Sequence, residues 1–202
     1  MAGSGMSGSD VRYASEAEFR QACTRVFGSE GADLMLDWVD SPVGPLLLGA
    51  DEQAVKLVAF TRPARIDEQL QQIGARHGSA GWGTNVLTAS LRSQLAEYFA
   101  GQRREFDLPL AYPGSEFQER VWSMLRQIPY GTTWSYLDVA VRLGDPAATR
   151  AVGTTNGMNP IAIVIPCHRV INANGALGGF GGGLWRKQIL LDLERGQGRL
   201  AL

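Results

Sequence analysis

The run Ile165-Pro166-Cys167-His168-Arg169-Val170-Ile171-Asn172 sets a thiol beside an imidazole and a guanidinium. Free cysteine titrates near pKa ~8.5, so only a few per cent is thiolate at neutral pH; lowering it by about two units makes the thiolate the major form. The apolar stretch around it reads as a buried strand. A buried cysteine is more often inert packing than a nucleophile. What distinguishes the two is whether the rest of the chain supplies elements that aim and activate the sulfur.

Those elements sit in a chain of 202 residues, enough for one large domain or two small ones with a real core. A composition of 45% hydrophobic and 19% charged residues is that of a globular protein, and no stretch has the roughly 20 apolar residues of a membrane helix. The Gly- and Ser-rich start, residues 1–14, reads as a disordered tail and not as a signal peptide. Cys23 and Cys167 are the only cysteines, and His77 and His168 the only histidines. That excludes a disulfide framework and gives no metal-ligand spacing, so no metal or other cofactor is expected, in a reducing, cytoplasmic setting. The net charge of -1 hides an asymmetry: residues 1–112 carry 10 basic and 14 acidic side chains, residues 113–202 carry 9 and 6. The basic half is the one suited to phosphates, although the excess alone is weak.

The first half, residues 15–106, predicts an α+β module. A helix is expected over 16–27, strands over 33–39 and within 46–60 in an antiparallel meander, and a helix over 66–74. Leu87, Leu91, Leu95 and Phe99 then mark an amphipathic helix. Residues 107–114, with Pro109 and Pro113, read as a linker. The second half, 115–202, opens with a helix capped by Ser115, in which Phe117, Val121, Leu125 and Ile128 share a face. A short helix over 135–143, the turn Gly144-Asp145-Pro146 and a helix over 146–156 form a helix-turn-helix pattern. Arg150 lies early in its second helix among small residues, Ala151 and Gly153 included, which let a helix approach a duplex closely.

Taken in order, Phe117-Gln118, Val121-Trp122, Ile128-Pro129-Tyr130-Gly131, Ser135-Tyr136, Gly144-Asp145-Pro146, Arg150-Ala151-Val152-Gly153, Asn159-Pro160, Pro166-Cys167-His168-Arg169, Gly178-Gly179-Phe180-Gly181 and Arg186-Lys187 with Glu194 resemble the O6-alkylguanine-DNA alkyltransferases. The likeness is continuous over residues 115–195 and loose in the first half. It implies a ribonuclease-H-like α+β domain followed by a mostly helical domain, working as a monomer on double-stranded DNA that contains O6-alkylguanine. O4-alkylthymine stays open as a second substrate. The resemblance implies that Cys167 takes the alkyl group once and irreversibly, that His168 deprotonates it through a water, and that Glu194 orients His168. It further implies that Tyr136 helps turn the nucleotide out and donates a proton, that Asn159 braces the turn, and that Arg150, with Ala151 and Gly153, meets the DNA. Val170, Phe180, Gly181 and Trp122 are the implied pocket. Phe180 stands where some relatives have tyrosine, and Gly157-Met158 where many have a basic residue. The rivals are a non-catalytic lesion sensor, which the presence of Cys167 disfavours, and a plain DNA-binding regulator.

Overall fold

Strand β2 (Leu46–Ala50) is buried on both faces, and this sets the layering of the N-terminal module. Leu46, Leu48 and Ala50 enter one core and Leu47 the other, as the period-2 alternation of a strand requires. The sheet runs β3 (Val55–Phe60), β2, β1 (Leu34–Val39), β4 (Ala80–Trp82); all pairs are antiparallel except β1–β4. The computed structural model describes residues 15–28 and 32–196, so the expected tail lies outside the described residues. The meander matches expectation, whereas β4, only three residues long, carried no periodic signal.

Helices α1 (Glu16–Phe27) and α2 (Ile66–His77) cover one face, where Phe19, Cys23, Leu70 and Ile73 pack on Leu47. The helix expected to end at Gly74 runs on to His77. Gly74 is there for close approach, since a Cβ at that position would lie 2.6 Å from the Phe27 ring. Helix α3 (Val86–Phe99) lies on the other face and buries Leu91, Leu95 and Tyr98. This second core continues without a break into the C-terminal half, through Trp122, Leu125, Ile163 and Cys167.

The C-terminal half holds α4 (Glu116–Leu125), β5 (Trp134–Ser135), α5 (Tyr136–Arg142), α6 (Thr149–Gly157), β6 (Val170–Ile171) and α7 (Leu184–Glu194). Ser115 caps α4 as expected, but the helix stops at Leu125 and Ile128 follows in a turn. Asp145 accepts from the Ala147 amide at 3.0 Å, and Pro146–Ala148 form a 3-10 turn before α6 begins at Thr149. Gly144, at φ 85°, makes the reversal between α5 and α6. No described helix is long and apolar enough to cross a membrane.

Two segments, one in the expected linker and one in the second half, bond to β3 by main chain. Residues 109–111, in the expected linker, exchange bonds with Val55: its amide donates to Pro109 O at 2.8 Å and its carbonyl accepts from Ala111 at 3.0 Å. Residues 160–162 do the same with Val58, whose amide donates to Pro160 O at 3.1 Å and whose carbonyl accepts from Ala162 at 2.9 Å. The N-terminal sheet therefore fixes the backbone that leads to the cysteine.

Candidate active site

The approach to Cys167 is bent, and the strand expected there does not form. Ile163 has φ 73°, and Val164 N donates to Ala162 O at 2.9 Å across it. A β-branched residue in this region costs on the order of 1–3 kcal/mol and persists only where surrounding structure holds it. Cys167 N then donates to Ile165 O at 2.8 Å across Pro166, and Cys167–Arg169 form a 3-10 turn before the short β6. Asn159 braces the double turn, donating from Nδ2 to Ile165 O at 2.7 Å and accepting from Ile161 N at 3.0 Å. Asn156, on α6, donates to the Cys167 carbonyl at 3.3 Å.

His168 is fully buried, and its Nε2 lies 2.8 Å from Glu194 Oε1. Its Nδ1 meets no hydrogen-bond partner among the described residues. Glu194, at the end of α7, is saturated with donors. Tyr98 OH reaches Oε1 at 2.8 Å, Arg169 donates from Nε to Oε2 at 2.9 Å and from Nη2 to Oε1 at 3.0 Å, and Gly131 N donates to Oε2 at 3.0 Å. Arg169 also donates to Ile128 O at 2.6 Å. Burial acts to raise the Glu194 pKa, but the bonds and charges of His168 and Arg169 outweigh it and hold the carboxyl well below the usual range. Burial pushes His168 down, with the Arg169 and Lys187 charges acting the same way against the bond to Glu194. The resting pair is an ionised carboxylate and a neutral imidazole whose Nδ1 lone pair is free to take a proton.

The thiol itself is not activated at rest. Cys167 is 4% exposed, and burial raises its pKa in spite of Asn159, Lys187 and two backbone amides, which act to lower it. Arg169, the cation two residues on, is turned onto Glu194. Cys167 therefore rests as a thiol and needs a base to activate it.

Cys167 opens into a cavity of about 420 Å³ whose walls come from both halves, Phe60 and His77 on one side and Asn159, Phe180 and Gly181 on the other. Phe180 packs edge-on against Phe60, with ring centroids 5.6 Å apart. Lys187 is buried beside it, donating to the carbonyls of Val170 (2.6 Å) and Leu177; burial lowers its pKa to about 8, against the Cys167 charge. Tyr136 OH donates to Gly179 O at 3.3 Å, and burial, then the Cys167 charge, raises its pKa, so the phenol keeps its proton. Gly178, at φ 65°, lets the glycine loop pass the Tyr136 ring, which a Cβ would approach to 3.0 Å.

Two implied pocket residues are placed elsewhere. Trp122 is buried beneath α6, donating from Nε1 to Thr155 O at 3.0 Å, and does not line the cavity. Val170 is buried in β6, and its carbonyl holds Lys187. Arg150 and Ala151 are exposed on α6, and the Arg150 guanidinium meets no partner among the described residues. Gly153, on the same helix, lies beside the Tyr136 ring. Among the described residues no three His, Cys, Asp or Glu side chains gather as a metal cage; Cys23 lies in the α1 core, its sulfur 3.8 Å from Ala80 O. Reading the sequence missed Tyr98 and the roles of Lys187 and Arg169. Arg169 carried a signal in its adjacency to His168, and Lys187 only its place in a matching motif.

Two family models match successive parts of the chain. The ribonuclease-like domain of 6-O-methylguanine DNA methyltransferase matches residues 35–112, and the DNA binding domain of that family matches residues 116–196. The methylated-DNA–protein-cysteine methyltransferase of Mycolicibacterium paratuberculosis is 49% identical over 158 residues, covering 78% of this chain and 90% of that protein. The protein of the same name from Methanosarcina acetivorans is 44% identical over 77% of this chain and 94% of its own length. Among solved structures, Mycobacterium tuberculosis OGT in complex with DNA superposes with a TM-score of 0.70 at 40% identity, covering 81% of this chain and 94% of that one. An N-terminal ribonuclease-like domain, a helical DNA-binding domain and a buried Cys-His-Glu site thus occur together, and the chain belongs to the methylated-DNA–protein-cysteine methyltransferase family.

Proposed function

We propose that this protein repairs double-stranded DNA by moving an alkyl group from O6 of guanine onto its own Cys167. The observation that carries the reading is the buried His168–Glu194 pair at 2.8 Å, next in sequence to a thiol that opens into a cavity. Removing the nucleotide from the stack costs a few kcal/mol in lost pairing and stacking. Arg150, exposed and unpartnered on α6, takes the vacated space. Tyr136, between α6 and the glycine loop, supports the turned-out base. Docking through the minor groove suits a protein that recognises a lesion and not a sequence.

Within the site, His168 Nδ1 takes the Cys167 proton through a bridging water, and Glu194 stabilises the imidazolium that forms. The thiolate attacks the alkyl carbon in line. An S–C bond forms, the C–O6 bond breaks, and the electron pair leaves on the guanine, which takes a proton from Tyr136 OH; the phenolate and the His168 imidazolium left behind cancel when water carries the proton from one to the other. A thioether has no leaving route, so each molecule acts once. The site needs no cofactor.

A duplex carrying O6-[methyl-labelled]guanine tests this. One equivalent of label on Cys167 is expected, and Cys167→Ala should lose all transfer while still binding the duplex. Transfer persisting in that variant would remove Cys167 as acceptor. Tight lesion binding by the native chain with no label would identify a sensor instead.

A further inference from the structure

The acid–base pair does not belong to the C-terminal half alone. Tyr98 lies on α3, 96 residues from Glu194 in sequence, is fully buried, and places its hydroxyl 2.8 Å from Oε1. Packing does not require that hydroxyl. The ring is already held by Phe99, Phe106 and Tyr130, with centroids 5.4, 5.6 and 6.1 Å away. An aromatic cage of this kind suits phenylalanine equally well. The hydroxyl instead competes for a crowded acceptor. A carboxylate has about four lone-pair sites, and Glu194 faces five donors: Tyr98 OH, His168 Nε2, Arg169 Nε and Nη2, and Gly131 N.

We propose that Tyr98 is a positioning residue for alkyl transfer, contributed by the N-terminal domain, whose phenol sets how strongly Glu194 holds a proton on His168. The proposal rests on the reading of His168 as base for Cys167. Each donor on Glu194 draws charge from the carboxylate and weakens its pull on the imidazolium. With Tyr98 present, His168 stays neutral and ready to accept; without it, Glu194 favours the protonated ring and the base is lost on the acid side. The other groups around the pair are Arg169, Tyr130 and, over the Tyr130 ring, Arg104, with Lys187 on α7 acting on His168. None of these is altered by removing one phenolic oxygen.

The test is the single-turnover rate of methyl transfer from an O6-methylguanine duplex to the full chain, followed across the acid limb. In Tyr98→Phe the limb should move up by about half a unit to one unit, with transfer roughly three- to ten-fold slower on the acid side of the native midpoint and close to native well above it. A limb that stays in place, whether or not the rate falls uniformly, or one that moves down, overturns the proposal. Phe99→Leu trims the packing on the same ring and should leave the limb where it is. Should Tyr98→Phe fold poorly, 3-fluorotyrosine placed at 98 is a stronger donor of nearly the same shape and should move the limb down; an unmoved limb overturns the proposal there too. His168→Gln separates the two claims. Native transfer in that variant removes the base assignment itself, whereas lost transfer beside an unmoved Tyr98→Phe limb removes only the role of Tyr98.

Discussion

Asp37 on β1 and Glu194 at the end of α7 are both buried carboxylates held by an arginine, one in each half of the molecule. Asp37 takes Arg92, the Thr84 hydroxyl at 3.2 Å and the Trp38 amide at 2.8 Å. Its arginine side chain is 46% exposed, so the pair sits at a rim where water shares the charge. The Arg169 side chain is only 8% exposed, and its carboxylate also faces an imidazole and a phenol. In the proposed mechanism a buried ion pair becomes chemical equipment because an imidazole joins it beside the thiol. Without such a group it fastens a sheet to a helix.

The comparison can be broken at three places. Glu194→Gln keeps the shape and removes the charge that stabilises the imidazolium. Transfer should fall on the order of 10²–10⁴-fold in a single-turnover assay, the usual range for losing acid–base help, and a fall under about three-fold would contradict the role proposed for Glu194. Arg169→Leu leaves Glu194 buried without its fixed cation and should cost about 3–5 kcal/mol in denaturant unfolding. Arg92→Ala should cost only about 1 kcal/mol, because the guanidinium lost is itself half in water and Asp37 keeps the Thr84 hydroxyl and the Trp38 amide, and should leave the transfer rate unchanged. If Arg92→Ala slowed transfer as Glu194→Gln does, the two pairs would not differ in kind.

How much of this was legible in the sequence depends on distance along the chain. Cys167, His168 and Arg169 are adjacent, and the helix-turn-helix announces itself through Gly144, Asp145 and Pro146, so local chemistry could be read directly. Glu194 lies 26 residues from His168, and only the resemblance singled it out. Tyr98 was not legible, since its ring satisfies the same apolar stripe that Leu91 and Leu95 begin. The turn at Ile163 was hidden for a different reason. Its residue type favours an extended backbone, and what overrides that preference is main-chain pairing with β3, which leaves no mark on side-chain pattern. Trp122 misled in the opposite direction, because a large aromatic near the motif fits a pocket wall and a helix support equally well.

The pairing of β3 has a consequence outside catalysis. β2 occupies one side of this strand, and its other side would be an open row of amides and carbonyls, a template on which further chains could add. Residues 109–111 and 160–162 occupy that row at Val55 and Val58, so the segment that leads to the cysteine also seals the sheet against self-association. A fragment ending before residue 109 loses both seals and leaves the strand Val-Lys-Leu-Val-Ala-Phe uncovered along that side.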